Sequence, residues 1–157
     1  MESSNPYQSP AAAVTDALAD AGRPLFRTSG VFIATIMGSI LAGGWVIGMN
    51  HAARGEFRQA RMARLYAVLG AIALMTLSLL LPEQVPGVVY LIPQLVAINY
   101  WVKRAQGEAI DARVAAGLPM RSNWLAAGIG LLGALVVVAI AIATVGIAVY
   151  GFGVELG

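Results

Sequence analysis

Charged residues are confined to five short parts of the chain, and four long stretches between them carry none. The uncharged stretches are residues 28–53, 65–82, 84–102 and 122–154. Each contains an apolar run close to the roughly 20 residues that a helix needs to cross the hydrocarbon core of a bilayer. The pattern therefore predicts an all-α fold, a polytopic transmembrane bundle of four helices at about 30–49, 65–81, 87–102 and 124–150.

Composition excludes several classes of protein. Only 11% of the 157 residues are charged and 59% are hydrophobic, against about 25% and 45–50% in a soluble domain, whose surface needs a polar shell. The formal net charge of +2 is too small to predict a nucleic-acid partner. The chain has no cysteine, which excludes disulfides and thiolate metal sites.

The chain divides into a tail and a membrane domain. Residues 1–28 are predicted to form a flexible, mostly polar tail, and residues 29–157 the four-helix domain with basic loops at 50–64 and 103–123. A short interfacial helix is expected over 103–116. The third helix is only 16 residues long and contains Pro93, so a re-entrant hairpin there is the alternative to a full crossing.

Basic residues predict the orientation, because cytoplasmic loops hold an excess of Lys and Arg. Loops 50–64 and 103–123 contain eight of the ten, the loop between the second and third helices contains none, and Arg23 and Arg27 lie in the tail. With four crossings, both basic loops are expected in the cytoplasm and both termini outside. Arg23 and Arg27, directly before the first helix, favour the opposite orientation, and three crossings would change the count.

Small residues repeat at every fourth position along the first helix. They form two rows, Ala34, Gly38 and Ala42, and Gly44 and Gly48. Such rows allow close approach between membrane helices. We expect them to pack on another helix of the chain, with small residues at 126–133 of the fourth helix as the counter-surface and the second helix facing lipid. Self-association through the first helix is the less favoured alternative.

Few residues have the chemistry of a catalytic or metal site. His51 is the only histidine and has no cluster of acidic residues near it, so no metal, cofactor or catalytic site is predicted. Thr35, Gln94 and Asn99 are candidates for a weakly polar path through the membrane. Gln94 follows Pro93, whose ring removes a helical hydrogen bond, so a structural role for this amide is favoured over a path.

Four arginines precede or begin the second helix. Arg54, Arg58, Arg61 and Arg64 fall on one side of a helix that continues into the second membrane helix. Such a stripe predicts an anchor for anionic lipid headgroups, the simplest partner of a basic segment at a membrane surface.

Three segments resemble an uncharacterised family of bacterial four-helix inner-membrane proteins with an N-terminal NPYxxP tail. They are NPYQSP at 5–10, ATIMGSILAGGWVIGMNHAARG at 34–55 and GLPMRSNW at 117–124. The resemblance implies a location in the bacterial inner (cytoplasmic) membrane and supplies no catalytic or binding residue. It also implies a cytoplasmic tail, opposite to the orientation from the charge count.

Two functions follow as hypotheses. The first is a non-enzymatic accessory or assembly subunit that acts by helix packing, in a homo-oligomer or a larger membrane complex, through the small residues of the first helix. The alternative is a small oligomeric channel or carrier subunit whose path lies near Thr35, Gln94 and Asn99.

Overall fold

The computed structural model describes residues 22–82, 84–146, 150 and 151. Within these residues the fold is all-helical, without strands, and has four helices: α1 Thr28–Ala53, α2 Phe57–Leu80, α3 Gly87–Ala115 and α4 Asn123–Gly146. Three segments are long and apolar enough to cross a membrane by length and composition, namely Thr28–Ala53, Phe57–Ser78 and Asn123–Thr144. The predicted all-α class is confirmed, and residues 1–21, with the NPYQSP segment, lie outside the described part.

The direction of α1 reverses in its middle. Gly38 (φ −131°, ψ 22°) and Ser39 (φ 63°, ψ −173°) have non-helical backbone angles. A straight 26-residue helix would be about 39 Å long, yet the Phe26 N–H donates to Asn50 Oδ1 at 2.7 Å and Asn50 Nδ2 donates to the Phe26 carbonyl at 3.0 Å. The two halves of α1, residues 28–38 and 39–53, therefore form an antiparallel hairpin with its tip at Gly38 and Ser39 and its base at Phe26 and Asn50.

This reversal corrects the expectation of one uninterrupted helix over residues 30–49. The length and hydropathy of an apolar stretch carry no information on the direction of the chain, so two short antiparallel halves are not distinguishable from a single span. The alternative of a hairpin in the third helix is not found, since α3 continues through Pro93, and α1 is the helix that turns back. Of its most apolar stretch 56% is buried, against 17% in α2 and 11% in α4.

The hairpin is the centre of the fold, and each other helix packs on it. α2 runs antiparallel to the second half, with Ala67 beside Gly44 near the tip. α3 runs parallel to that half, and α4 runs parallel to the first half. Because α2, α3 and α4 all continue past the tip, their far ends lie beyond the hairpin.

The basic loops are shorter than predicted, because helices extend into both. α1 ends at Ala53 and α2 begins at Phe57, which leaves residues 54–56 of the predicted loop 50–64. The expected break after Val102 is absent, since α3 continues to Ala115. Its buried residues recur at every fourth position through the charged segment, at Ile98, Val102, Gln106 and Ile110. Packing of this face on the hairpin therefore stabilises the helix beyond Val102. The link to α4 is residues 116–122, with Gly117 at φ 67°.

Candidate functional site

The two halves of the hairpin approach each other through glycine. A Cβ at Gly43 would overlap Thr35 Oγ1, so only glycine allows the second half to lie this close to the first. Thr35 is fully buried and donates to the Val31 carbonyl at 2.8 Å. Gly43 was not among the residues expected to matter, because its partner lies on the same predicted helix and a straight helix would never bring the two together.

The two rows of small residues face different helices. In the first row, Gly38 lies against the Gly130 carbonyl, and a Cβ at Gly133 would come within 2.9 Å of Ala42 Cβ. In the second row, a Cβ at Gly44 would come within 2.5 Å of Ala67 Cβ. The structure therefore places the first row against α4 and the second against α2, a helix expected to face lipid. Ala34 is likewise buried, and Gly48 lies near Ala60 of α2.

Gln94 joins α3 to the hairpin tip. Its Oε1 accepts the Ile40 N–H at 2.9 Å, and its Nε2 donates to the Tyr90 carbonyl at 2.9 Å. The Ile40 N–H stands at the start of the second half of α1, where the first N–H groups of a helix have no helical partner. Ser39 Oγ accepts the next such group, the Leu41 N–H, at 3.3 Å. The Gln94 and Ser39 side chains thus accept hydrogen bonds from backbone N–H groups that the reversal leaves without helical partners.

Ser39 has an unusual backbone conformation. Its φ of 63° is the only positive value for a non-glycine residue in the described part of the chain. With ψ at −173°, this region of backbone angles is populated almost solely by glycine and costs about 1–3 kcal/mol for other residues. The tip therefore stores backbone strain at the wall of a cavity.

That cavity lies beyond the tip, between the far parts of α2, α3 and α4. Its volume is about 970 Å³ and its wall is almost wholly apolar, with Ser39 and Gln94 at the tip. Three further residues with hydroxyl groups line it, Ser78, Tyr90 and Thr144. Two of these hydroxyls are bonded within their own helices, since Ser78 donates to the Met75 carbonyl and Thr144 to the Ile140 carbonyl. The cavity therefore offers space for an apolar group and few polar atoms free to bind one.

The three candidate path residues do not lie along one path. Thr35 is enclosed between the hairpin halves, and Gln94 is at the tip with both amide groups bonded to backbone. Asn99 is half-buried on α3, five residues further towards the base. Of the three, only Gln94 lines the cavity.

A buried amide network closes the base of the hairpin. Asn50 is 1% exposed and bonds to both polar groups of the Phe26 backbone. Its Nδ2 also donates to Gln106 Oε1 at 3.0 Å, and Gln106 Nε2 donates to the Ile47 carbonyl at 2.8 Å. No pattern in the sequence predicts this network, since Asn50 follows the apolar run and Gln106 lies in the segment predicted to be an interfacial helix.

The four arginines of the predicted headgroup stripe have separate environments. Arg54 Nη2 pairs with Glu56 Oε1 at 2.7 Å, and the other oxygen of Glu56 lies 2.5 Å from His51 Nδ1. Arg58 and Arg61 are exposed on α2. Arg64 is half-buried, and its guanidinium lies 5.0 Å from the centre of the Trp45 ring.

Within the described residues, no group of three or more His, Asp or Glu side chains is placed to hold a metal ion. Comparison with known proteins finds no matching family model, curated protein or solved structure.

Proposed function

We propose that the chain is a non-enzymatic multi-pass membrane protein in which α2, α3 and α4 cross the bilayer and α1 enters and leaves on one side, and that it acts as an accessory or assembly subunit of a membrane complex. The reversal of α1 is the observation that carries this topology. α3 is not one of the three segments found apolar enough to cross by composition, and its crossing is proposed because it runs along the hairpin from Gln94 at the tip to Gln106 at the base. Non-helical backbone at membrane depth is tolerated where it is buried in protein, and α1 is the most buried of the three apolar segments.

The reversal changes the proposed orientation. With α1 folded back, all ten Lys and Arg of the chain fall at the base of the hairpin, including Arg23 and Arg27. By the positive-inside rule, this end faces the cytoplasm, and the turn between α2 and α3 faces outside. Three crossings then put the N-terminal side in the cytoplasm and the C-terminal side outside. This proposal replaces the one with both termini outside, and it is consistent with the inner-membrane location and cytoplasmic tail that the family resemblance implies.

Cysteine labelling tests the orientation, because the native chain has no cysteine. Arg27→Cys, Gln59→Cys and Gln84→Cys each place one thiol at an exposed position. In intact spheroplasts, a membrane-impermeant maleimide is expected to label only Gln84→Cys. After lysis, the other two variants are expected to be labelled as well. Labelling of both Arg27→Cys and Gln84→Cys from outside, with Gln59→Cys protected, would support four crossings and contradict the proposal.

The accessory role is supported by how the polar and small residues are used. Gln94 and Thr35 bond to backbone, which favours structural roles over a polar path. The small-residue rows contact α2 and α4, so a partner would meet the outer faces of the bundle and not α1. Native mass spectrometry of the protein from mild detergent tests this role, since a co-purifying membrane subunit is expected and a lone monomer from native membranes would contradict it.

The cavity favours a carrier as the second candidate function. Because its wall is apolar, such a carrier would take an apolar molecule and not an ion. Val137 lines the cavity, whereas Val138 is 54% exposed on α4 and does not. If the protein is a carrier, Val137→Trp is expected to stop movement of an uncharged pyrene-labelled glyceride across liposome membranes and Val138→Trp to leave it unchanged. Equal rates with and without protein would exclude this function.

A further inference from the structure

A second, smaller cavity lies at the base of the hairpin and is surrounded by arginine. It has a volume of about 180 Å³ and is lined by Arg23, Met49, Ala52, Ala53, Arg64 and Arg121. The three arginines come from the segment before α1, from α2 and from the link before α4. We propose that they form a binding site for the phosphate group of an anionic membrane lipid.

Two of the arginines are held in place by aromatic rings. Arg64 lies 5.0 Å from the centre of the Trp45 ring, and Arg121 lies 5.1 Å from the centre of the Phe26 ring. The backbone N–H of Arg121 also donates to the Leu25 carbonyl at 2.8 Å, which fixes the backbone of the link against the base of the hairpin. Cations over aromatic rings are attracted to the ring face, so these two side chains are positioned before any ligand binds.

Arg64 has a polar atom that requires a partner. Its Nε is buried and has no hydrogen-bond partner in the described structure. Gly48 explains this close burial, because a Cβ there would come within 3.3 Å of the same Nε. A buried donor without a partner is costly. The Arg64 side chain also lines the cavity, and phosphate is an anion that guanidinium groups often bind through two parallel bonds.

No acidic side chain of the described residues is paired with the arginines around the cavity. Among the described residues, the ion pairs are those of Glu56 with His51 and Arg54, and none involves Arg23, Arg64 or Arg121. Three positive groups around one small cavity repel each other, so an anion between them is favourable. An arginine-lined cavity of this size has room for a phosphate group but not for a whole lipid.

The position of the cavity favours a lipid as the source of the phosphate. It lies where the uncharged stretches of α1 and α2 end, which is the level of the headgroups in the proposed topology. Basic pockets between membrane helices on the cytoplasmic side bind anionic headgroups, and Met49, Ala52 and Ala53 provide apolar contact for the chain below. This set differs from the predicted stripe, which shares only Arg64 with it.

Lipid titration of the purified full chain tests the site. Phosphatidylglycerol, phosphatidylcholine or inorganic phosphate is added to the protein in neutral detergent, and bound adducts are counted by native mass spectrometry. We expect one phosphatidylglycerol to bind with an affinity at least ten-fold higher than that of phosphatidylcholine. Arg64→Gln, Arg121→Gln and Arg23→Gln should each weaken this binding about five-fold, the effect of one basic group at a membrane surface. Lys103→Gln and Arg104→Gln, at exposed positions on α3 and outside both the cavity and the predicted stripe, should change it less than two-fold.

Each result has a defined meaning. Equal loss for the cavity arginines and the control residues Lys103 and Arg104 would show general charge attraction and overturn the proposal, as would equal binding of the two lipids. Tight binding of inorganic phosphate that excludes the lipid would identify a soluble anion as the ligand and overturn the lipid assignment. Arg23→Gln guards against misfolding, since Arg23 is exposed outside the helices. The headgroup level rests on the proposed topology, but binding in detergent is measured independently, so cysteine labelling and this titration can fail separately.

Discussion

Replacing Gln94 by leucine tests the role of the hairpin tip most sharply. The substitution keeps a side chain of similar size and removes both amide bonds, to the Ile40 N–H and to the Tyr90 carbonyl. The Tyr90 carbonyl lies inside α3 and keeps its helical partner, so loss of the Gln94 side-chain bond to it costs little free energy. The Ile40 N–H stands in the first turn of the second half of α1, where no helical carbonyl can replace the lost acceptor.

The expected magnitude follows from that single orphaned donor. A buried polar group left without a partner costs about 1–3 kcal/mol, and the cost rises in hydrocarbon, where water does not replace the lost bond. Gln94 is half-buried, so we expect Gln94→Leu to lower the free energy of unfolding by about 2 kcal/mol. SDS titration of the protein in mixed micelles, followed by circular dichroism, measures this quantity.

Asn99→Leu is the matched control. Asn99 is an amide on the same helix, also half-buried, and no side-chain hydrogen bond of Asn99 is found in the described structure. Its replacement is expected to change stability by less than about 0.5 kcal/mol. Equal effects of the two substitutions would refute the role of Gln94 at the tip. Unchanged stability of Gln94→Leu together with altered flux in liposomes would instead favour a path through this residue.

Three further predictions concern the hairpin. Gly43→Ala should destabilise the protein by more than about 2 kcal/mol, because a Cβ there overlaps Thr35. Gly128→Ala, with open space around it, should be neutral or slightly stabilising, and comparable melting temperatures of the two variants would contradict this prediction. A double-mutant cycle of Asn50→Leu and Gln106→Leu should give a coupling energy of about 1 kcal/mol or more, and strict additivity would show that their hydrogen bond contributes nothing. Ser39→Gly should unfold at equal or higher SDS than the wild type because strain is relieved, while Ser39→Val should unfold earlier; the reverse order would show that the tip does not have this backbone conformation.

The all-α class and the four helices of the described residues were predictable from sequence, because long uncharged apolar stretches predict helices of this length. The small residues of α1 and α4 were also recognisable, since Gly38 and Gly130 follow spacings that allow close packing. Their partners were less accessible, because Gly44 and Gly48 lie against a helix whose leucines and alanines suggested a lipid-facing role.

The reversal of α1 was beyond the reach of hydropathy. Two half-helices of small and apolar residues have the same composition as one span, and Ser39 is not a residue type that predicts a positive φ. The evidence for the reversal lies in pairs far apart in the chain, such as Phe26 with Asn50. One feature of the sequence was consistent with a reversal, namely the conflict over orientation. Arg23 and Arg27 favour the opposite orientation from the basic loops only if the first helix crosses the membrane.

The reversal is also the central claim, and one distance tests it directly. Arg27 and Arg54 are exposed at the two ends of α1, and a chain without cysteine accepts spin labels only where thiols are introduced. In the Arg27→Cys, Arg54→Cys protein reconstituted in nanodiscs, double electron–electron resonance should give a distance below about 20 Å, because Arg27 is next to Phe26 and Arg54 lies about one helical turn beyond its partner Asn50. A distance near 40 Å, the length of an uninterrupted helix between these residues, would contradict the hairpin and the topology built on it.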